Sequence, residues 1–192
     1  MIQRFVPIEV SARHVHLSQV HLEQLFGVGA MLHVRRSISQ PGQFAAEEQV
    51  EVVGPKGKLK ARIVGPVRAE TQIELSMTDC HWLGIPVTIA PSGSMAETAV
   101  AVLKGPVGEV TLNRGVLVPQ RHLHINVAQA TAWGLQDGDS VNIKVAGKRA
   151  VTFHKVIVRA RQGVDELSFM LDYDEANSAN VSPGTEGILI DA

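Results

Sequence analysis

Cysteine is almost absent from this chain. Cys80 is the sole thiol among 192 residues, so no internal disulfide can form, and a reducing cytosol is the expected compartment. An excess of charge is missing too. The formal net charge is −1, which excludes a global attraction to nucleic acid or to an anionic membrane surface. No apolar run approaches the roughly 18 residues of a membrane-spanning helix. The opening "MIQRFVPIEV" lacks the apolar core and small-residue cleavage site of a secretory signal. What remains is an ordinary soluble composition, 45% hydrophobic and 19% charged, with length enough for one sizeable domain or two small ones.

Glycine and proline, by contrast, punctuate the chain at short intervals. "QVEVVGPKGKLKARIVGP" (49–66) alternates, turns at Gly54-Pro55-Lys56-Gly57 and runs back. "AVAVLKGPVGEVTL" (99–112) turns at Gly105-Pro106-Val107-Gly108, and 139–160 reads as a third hairpin. Two or three short helices interrupt this pattern. One follows Ser18 as N-cap, with Leu17 and Leu22 as a hydrophobic staple, and ends near Gly27. Another follows Asn126, three residues before Gln129, and ends near Gly134. The expectation is a mainly β protein with a few short helices, built as two packed small β-barrels. The halves share a weak internal repeat, and no low-complexity linker separates them, so a site between them is expected.

The repeat carries chemistry. "SARHVHLS" (11–18) and "QRHLHINV" (120–127) each contain R-H-x-H. Strand residues i and i+2 share a face, so His14 projects with His16 and His122 with His124. Two such imidazoles make half of a tetrahedral zinc site. One H-x-H is a modest signal; two in matching contexts are a much stronger one. His21, His33 and His154 stand alone and read as surface or internally satisfied side chains. Glu74, in "TQIELSM", is a candidate carboxylate ligand, although an exposed strand glutamate is the commoner explanation. Arg68, just after a Gly-Pro turn, could grip an anion through its fixed fork of donors.

Taken in order, "VSARHVHLS", "SISQPGQFAAEEQVEVVGPKG", "VGPVR", "IELSMTD", "LGIPV", "GPVGEVTLNRGVLVPQRHLHI", "DGDSV", "VIVR" and "DYDEAN" run nearly end to end. The chain resembles PduL-type phosphate propanoyltransferases, phosphotransacylases associated with bacterial microcompartments. That resemblance implies a discontinuous first barrel, 1–12 plus 120–192, and a second, 13–119, with a hairpin-like insertion near 27–46. It implies one or two zinc ions, with His14, His16 and Glu74 holding the first, where the sulfur of coenzyme A would bind. His122 and His124 would hold the second. Arg68 falls at the phosphate position, and Arg35, Arg36 and His81 fall near coenzyme A. The implied reaction moves a short acyl group reversibly and directly between coenzyme A and orthophosphate, without an acyl-enzyme. Cys80 is a poor nucleophile candidate, with only adjacent His81 as a partner.

Three positions depart from the family pattern. A C-terminal histidine, the second metal's third ligand, is replaced at Met170 or its neighbour Leu171; Asp172, His154 or phosphate are candidates to complete that site. An arginine is replaced by Thr88, and the glycine-rich run is "SGSMAETA" (92–99). A non-catalytic paralogue, keeping the fold and at most one zinc as a binding or assembly protein, is therefore the alternative to an active enzyme. A thioesterase would share the ligands, and Arg68 argues against it. The resemblance implies a short amphipathic leader before the first barrel strand in packaged members, whereas Phe5-Val6-Pro7-Ile8 is expected to enter the barrel almost at once; a trimmed chain, a cytoplasmic protein, or homo-oligomer or microcompartment association through another surface are the expectations left open.

Overall fold

The structure, a computed structural model, describes residues 3–95 and 99–191; part of the 92–99 run, positions 96–98, lies outside the described residues. The chain divides into two compact units. The first comprises 1–11, 39–41 and 120–192, and the second 12–38 and 42–119.

In the first unit six strands close into a barrel, in the order Arg4–Ser11, Ser168–Asp172, His122–His124, Val151–Arg159, Ser140–Val145, Glu186–Asp191 and back to the first. Inward alternation supplies the core: Val6, Leu123, Ile143, Val156, Val158, Phe169 and Leu171 are buried together. Phe153 and Phe169 meet edge to face with centroids 5.6 Å apart. Each fully buried side chain of this size contributes roughly 1.5–3 kcal/mol.

The second unit is a sheet ordered Ile89–Ala90, Val116–Pro119, Gln72–Glu74, His14–His16, Lys58–Gly65, Phe44–Val53, Ala101–Lys104, Glu109–Leu112, with Val34–Ser37 paired to Phe44–Val53. It curls into a half-barrel and has no closing pair among the described residues. One edge strand is only two residues long and runs directly into Pro91, which lacks the N–H that a further ladder bond would need.

All three hairpins form. In the first, Val50 and Val52 face the core, and the Gly54 N–H closes the turn on the Gly57 carbonyl at 2.9 Å. Among the described residues there are four helices: α1 (Gln19–Phe26), α2 (Met77–Leu83), α3 (Val127–Trp133) and α4 (Tyr173–Ser178). Ser18 and Asn126 cap α1 and α3 as their spacing predicts. The helices α2 and α4 occupy stretches where no helix is predicted from the sequence, and they bring the number to one more than the two or three expected. Ser76 and Asp79 form a full capping box for α2, a signal hidden by the strand-like alternation of "TQIELSM", and Asp172 caps the six-residue α4.

The internal repeat is real at the level of pairing. In each unit the H-x-H strand runs parallel to a long strand, 58–65 or 151–159, and antiparallel to a short one, 72–74 or 168–172. Each short strand leads at once into a capped helix, α2 or α4.

Candidate metal and substrate site

In the second unit, the strand pairing sets His14 opposite Glu74 and His16 opposite Gln72. Residues directly opposite across an antiparallel pair share a face, so Glu74 stands beside both imidazoles. The His14 Nδ1 lies 2.8 Å from the Ala12 carbonyl and the His16 Nδ1 3.0 Å from the Val64 carbonyl. A carbonyl only accepts, so each neutral ring carries its proton on Nδ1 and turns an Nε2 lone pair inward. The two Nε2 atoms approach to 3.2 Å, and Glu74 Oε2 lies 3.5 Å from that of His14. Ser92 donates its hydroxyl to the other Glu74 oxygen. Burial first, then repulsion from any proton on the adjacent His14 ring and from the Arg68 guanidinium, holds the His16 pKa well below its ordinary value, against smaller contributions from Glu74 and the Val64 carbonyl. Three electron-pair donors, all within 4.8 Å of one another, thus converge. They repel one another unless a cation sits among them, and a borderline-soft divalent ion such as zinc suits two imidazoles and a carboxylate.

The first unit repeats the arrangement. The His122 Nδ1 lies 2.8 Å from the Gln120 carbonyl, the His124 Nδ1 lies 2.7 Å from Asp165 Oδ1, and the two Nε2 atoms are 3.1 Å apart. Asp165 is fully buried and accepts three further bonds from Arg161: its backbone N–H at 2.7 Å, Nε at 2.9 Å and Nη2 at 2.8 Å. Burial works to raise the Asp165 pKa, but the bonds from Arg161 and His124 outweigh it and hold the carboxyl low. His124 is pushed down to about 4 by burial, then by His122, with Asp165 opposing. An imidazole oriented through Nδ1 by a carboxylate is the outer-shell arrangement that fixes a metal-ligating histidine.

The arginine of R-H-x-H also has a place. Arg13 reaches Asp79 Oδ1 through Nε at 2.9 Å and Nη2 at 2.7 Å; Arg121 Nε lies 2.6 Å from Glu175 Oε1. Both acids occupy the third position of the helix that follows the antiparallel partner strand, α2 or α4. Each ion pair therefore ties the residue just before the H-x-H strand to the helix that follows its antiparallel partner strand. Burial raises the Glu175 pKa, while Arg121 opposes it.

Of the residues expected at a site, His14, His16 and Glu74 come together, as do His122 and His124. Met170 sits opposite His122, and Leu171 points into the core. Arg68 is half-buried, its backbone N–H bonded to the Leu17 carbonyl at 2.8 Å, and its charge is felt at His16. Arg35 and Arg36 are exposed on the strand Val34–Ser37, and His81 is exposed on α2. The Thr88 carbonyl accepts from the Val118 N–H. Asp172 caps α4, and His154 faces Asn142 at 2.9 Å. His21 meets Thr71 at 2.8 Å, and His33 meets Glu48 at 2.6 Å. Cys80 is buried in the core. Asp165, Asp79 and Glu175 went unnoticed in the sequence. The weak signal for Asp165 was an arginine four residues before it, at Arg161.

Comparison with known proteins narrows what this framework is. The family model described as phosphate propanoyltransferase matches residues 7–182. A phosphate propanoyltransferase of Rhodopseudomonas palustris is 43% identical over 175 residues, 90% of this chain and 76% of the relative. That of Alkaliphilus metalliredigens is 39% identical over 96% of this chain and 87% of its own. That of Thermotoga maritima is 42% identical over 92% and 85%. Such similarity over nearly the whole length marks an acyltransferase. The chain belongs to the phosphate propanoyltransferase family.

Proposed function

We propose that this protein transfers a short acyl group reversibly between coenzyme A and orthophosphate at a metal centre. The observation that carries the reading is the convergence of the His14 and His16 Nε2 atoms, 3.2 Å apart and joined by Glu74, with both Nδ1 atoms committed to carbonyls. His14, His16 and Glu74 would hold one zinc ion; His122 and His124 would contribute to a second. Bound there, zinc supplies Lewis acidity to a thiolate or carbonyl oxygen.

The chain's own groups do the rest. Arg68 holds the phosphate dianion and offsets its charge. An oxygen of the hydrogenphosphate dianion attacks the thioester carbonyl, the carbon–sulfur bond breaks, and the phosphate's proton passes to the departing sulfur, so that acyl phosphate and coenzyme A are released. Phosphate is a competent nucleophile near neutral pH, so no strong general base is required. The buried Cys80 is not used, and transfer is direct. Arg35, Arg36 and His81 are exposed cationic or polar groups suited to the phosphates of coenzyme A. Met170 and Thr88 favour a second reading, in which the chain keeps the fold and at most one zinc as a binding or assembly component.

The test is thiol release from propanoyl- and acetyl-coenzyme A, with and without phosphate. Release that requires phosphate, and is abolished by Arg68→Ala, supports the transferase. Release without phosphate would make it a hydrolase, and no release would favour the non-catalytic reading.

A further inference from the structure

The repeat assigns a role to a residue that the proposed chemistry does not use. In the second unit the strand pairs are His14 with Glu74 and His16 with Gln72; in the first they are His122 with Met170 and His124 with Ser168. Met170 therefore stands to the His122–His124 pair as Glu74 stands to His14 and His16. Its thioether is tethered on that face. The Ser168 hydroxyl donates to Met170 Sδ at 3.6 Å, and Gln40 Nε2 donates to the Ser168 hydroxyl at 2.9 Å.

We propose that His122, His124 and Met170 form a metal site softer than that of His14, His16 and Glu74, releasing zinc first and preferring Cu(I). The inference rests on the reading that both imidazole pairs bind metal. A thioether is neutral and polarisable, so it adds little to the binding of zinc but coordinates Cu(I) well. The carboxylate of Glu74 adds negative charge and an oxygen donor, which favour a divalent ion. The two centres thus share imidazoles and differ in their third donor.

The experiment loads the whole protein with zinc, then titrates it anaerobically with Cu(I) against a Cu(I) chelator. It reads both metals per chain, with X-ray absorption at the copper edge. Expected is displacement of about one zinc per chain, with a sulfur scatterer at copper that Met170→Leu abolishes. Met170→Glu, which copies the other centre, should retain that zinc against the same Cu(I), and circular dichroism checks that both variants are folded. Copper that binds identically in wild type and Met170→Leu overturns the proposal, as does displacement of both zinc ions in parallel. A wild-type protein that takes up no zinc at all would instead sink the underlying reading of the imidazole pairs.

Discussion

Replacing Asp165 with asparagine preserves the side chain's shape and removes its charge. In the folded protein four N–H groups converge on the two carboxylate oxygens, from His124 and three positions on Arg161. An amide keeps one acceptor oxygen and turns an NH2 toward two of those donors. Charge-assisted bonds contribute about 1.5–3 kcal/mol each, which would put the loss of two at about 3–6 kcal/mol. The Arg161 side chain is 45% exposed and regains hydration, so the expected cost of Asp165→Asn falls to about 2–3 kcal/mol. The two compact units need not unfold together, so the reporter must belong to the first one. Trp133 lies there on α3, with the Arg4 guanidinium 5.4 Å from its ring centroid, whereas Trp82 lies on the exposed side of α2 in the second unit. In a Trp82→Phe background, Trp133 fluorescence should show the urea midpoint falling by about 1–1.5 M at a slope of about 2 kcal/mol/M. Zinc affinity of the His122–His124 site should fall about 10–100-fold with it. An unchanged midpoint and unchanged zinc binding would refute the claim that Asp165 orients His124.

Further outcomes follow from the same geometry. A Cβ at Gly54 would overlap the Leu83 carbonyl, and one at Gly105 would overlap the Leu25 carbonyl; Gly54→Ala and Gly105→Ala should each cost more than about 1 kcal/mol by thermal denaturation, whereas equal melting temperatures would contradict the packing. Ser76→Ala removes the α2 capping box and should cost about 1 kcal/mol in urea titrations, an effect that Ser76→Asp restores. The metal-free protein should be acid-sensitive. Folded His124 titrates at about 4 because burial, then His122, oppose its protonation. The unfolded chain takes up that proton near about 6.5, so stability falls as pH drops between these values and levels off below them. Asp165, held low, adds a loss in the same direction at still lower pH. A urea midpoint independent of pH across that window would contradict the burial argument.

Local rules carried much of the fold into the sequence. The glycine turns at 54–57 and 105–108 and the caps at Ser18 and Asn126 act over a few residues, and each appears where its spacing places it. The helix α2 was obscured because "TQIELSM" alternates like a strand, although only Gln72–Glu74 is one; the capping box at Ser76 and Asp79 decides the rest. The paired imidazoles were legible because strand alternation alone puts i and i+2 on one face. Their orientation was not, because it depends on long-range partners: Val64 for His16, and Asp165 for His124. The role of the arginine in R-H-x-H was hidden for the same reason. Asp79 and Glu175 are distant in sequence, and only the antiparallel pairing brings their helices to Arg13 and Arg121.

Metal analysis of the purified protein beside its His14→Ala variant bears most directly on the claim that converging imidazoles hold a cation. Zinc is expected in the wild type, with the ion of the His14–His16–Glu74 site lost in a variant that remains folded. Equal metal content in the two proteins, or none in either, would contradict it.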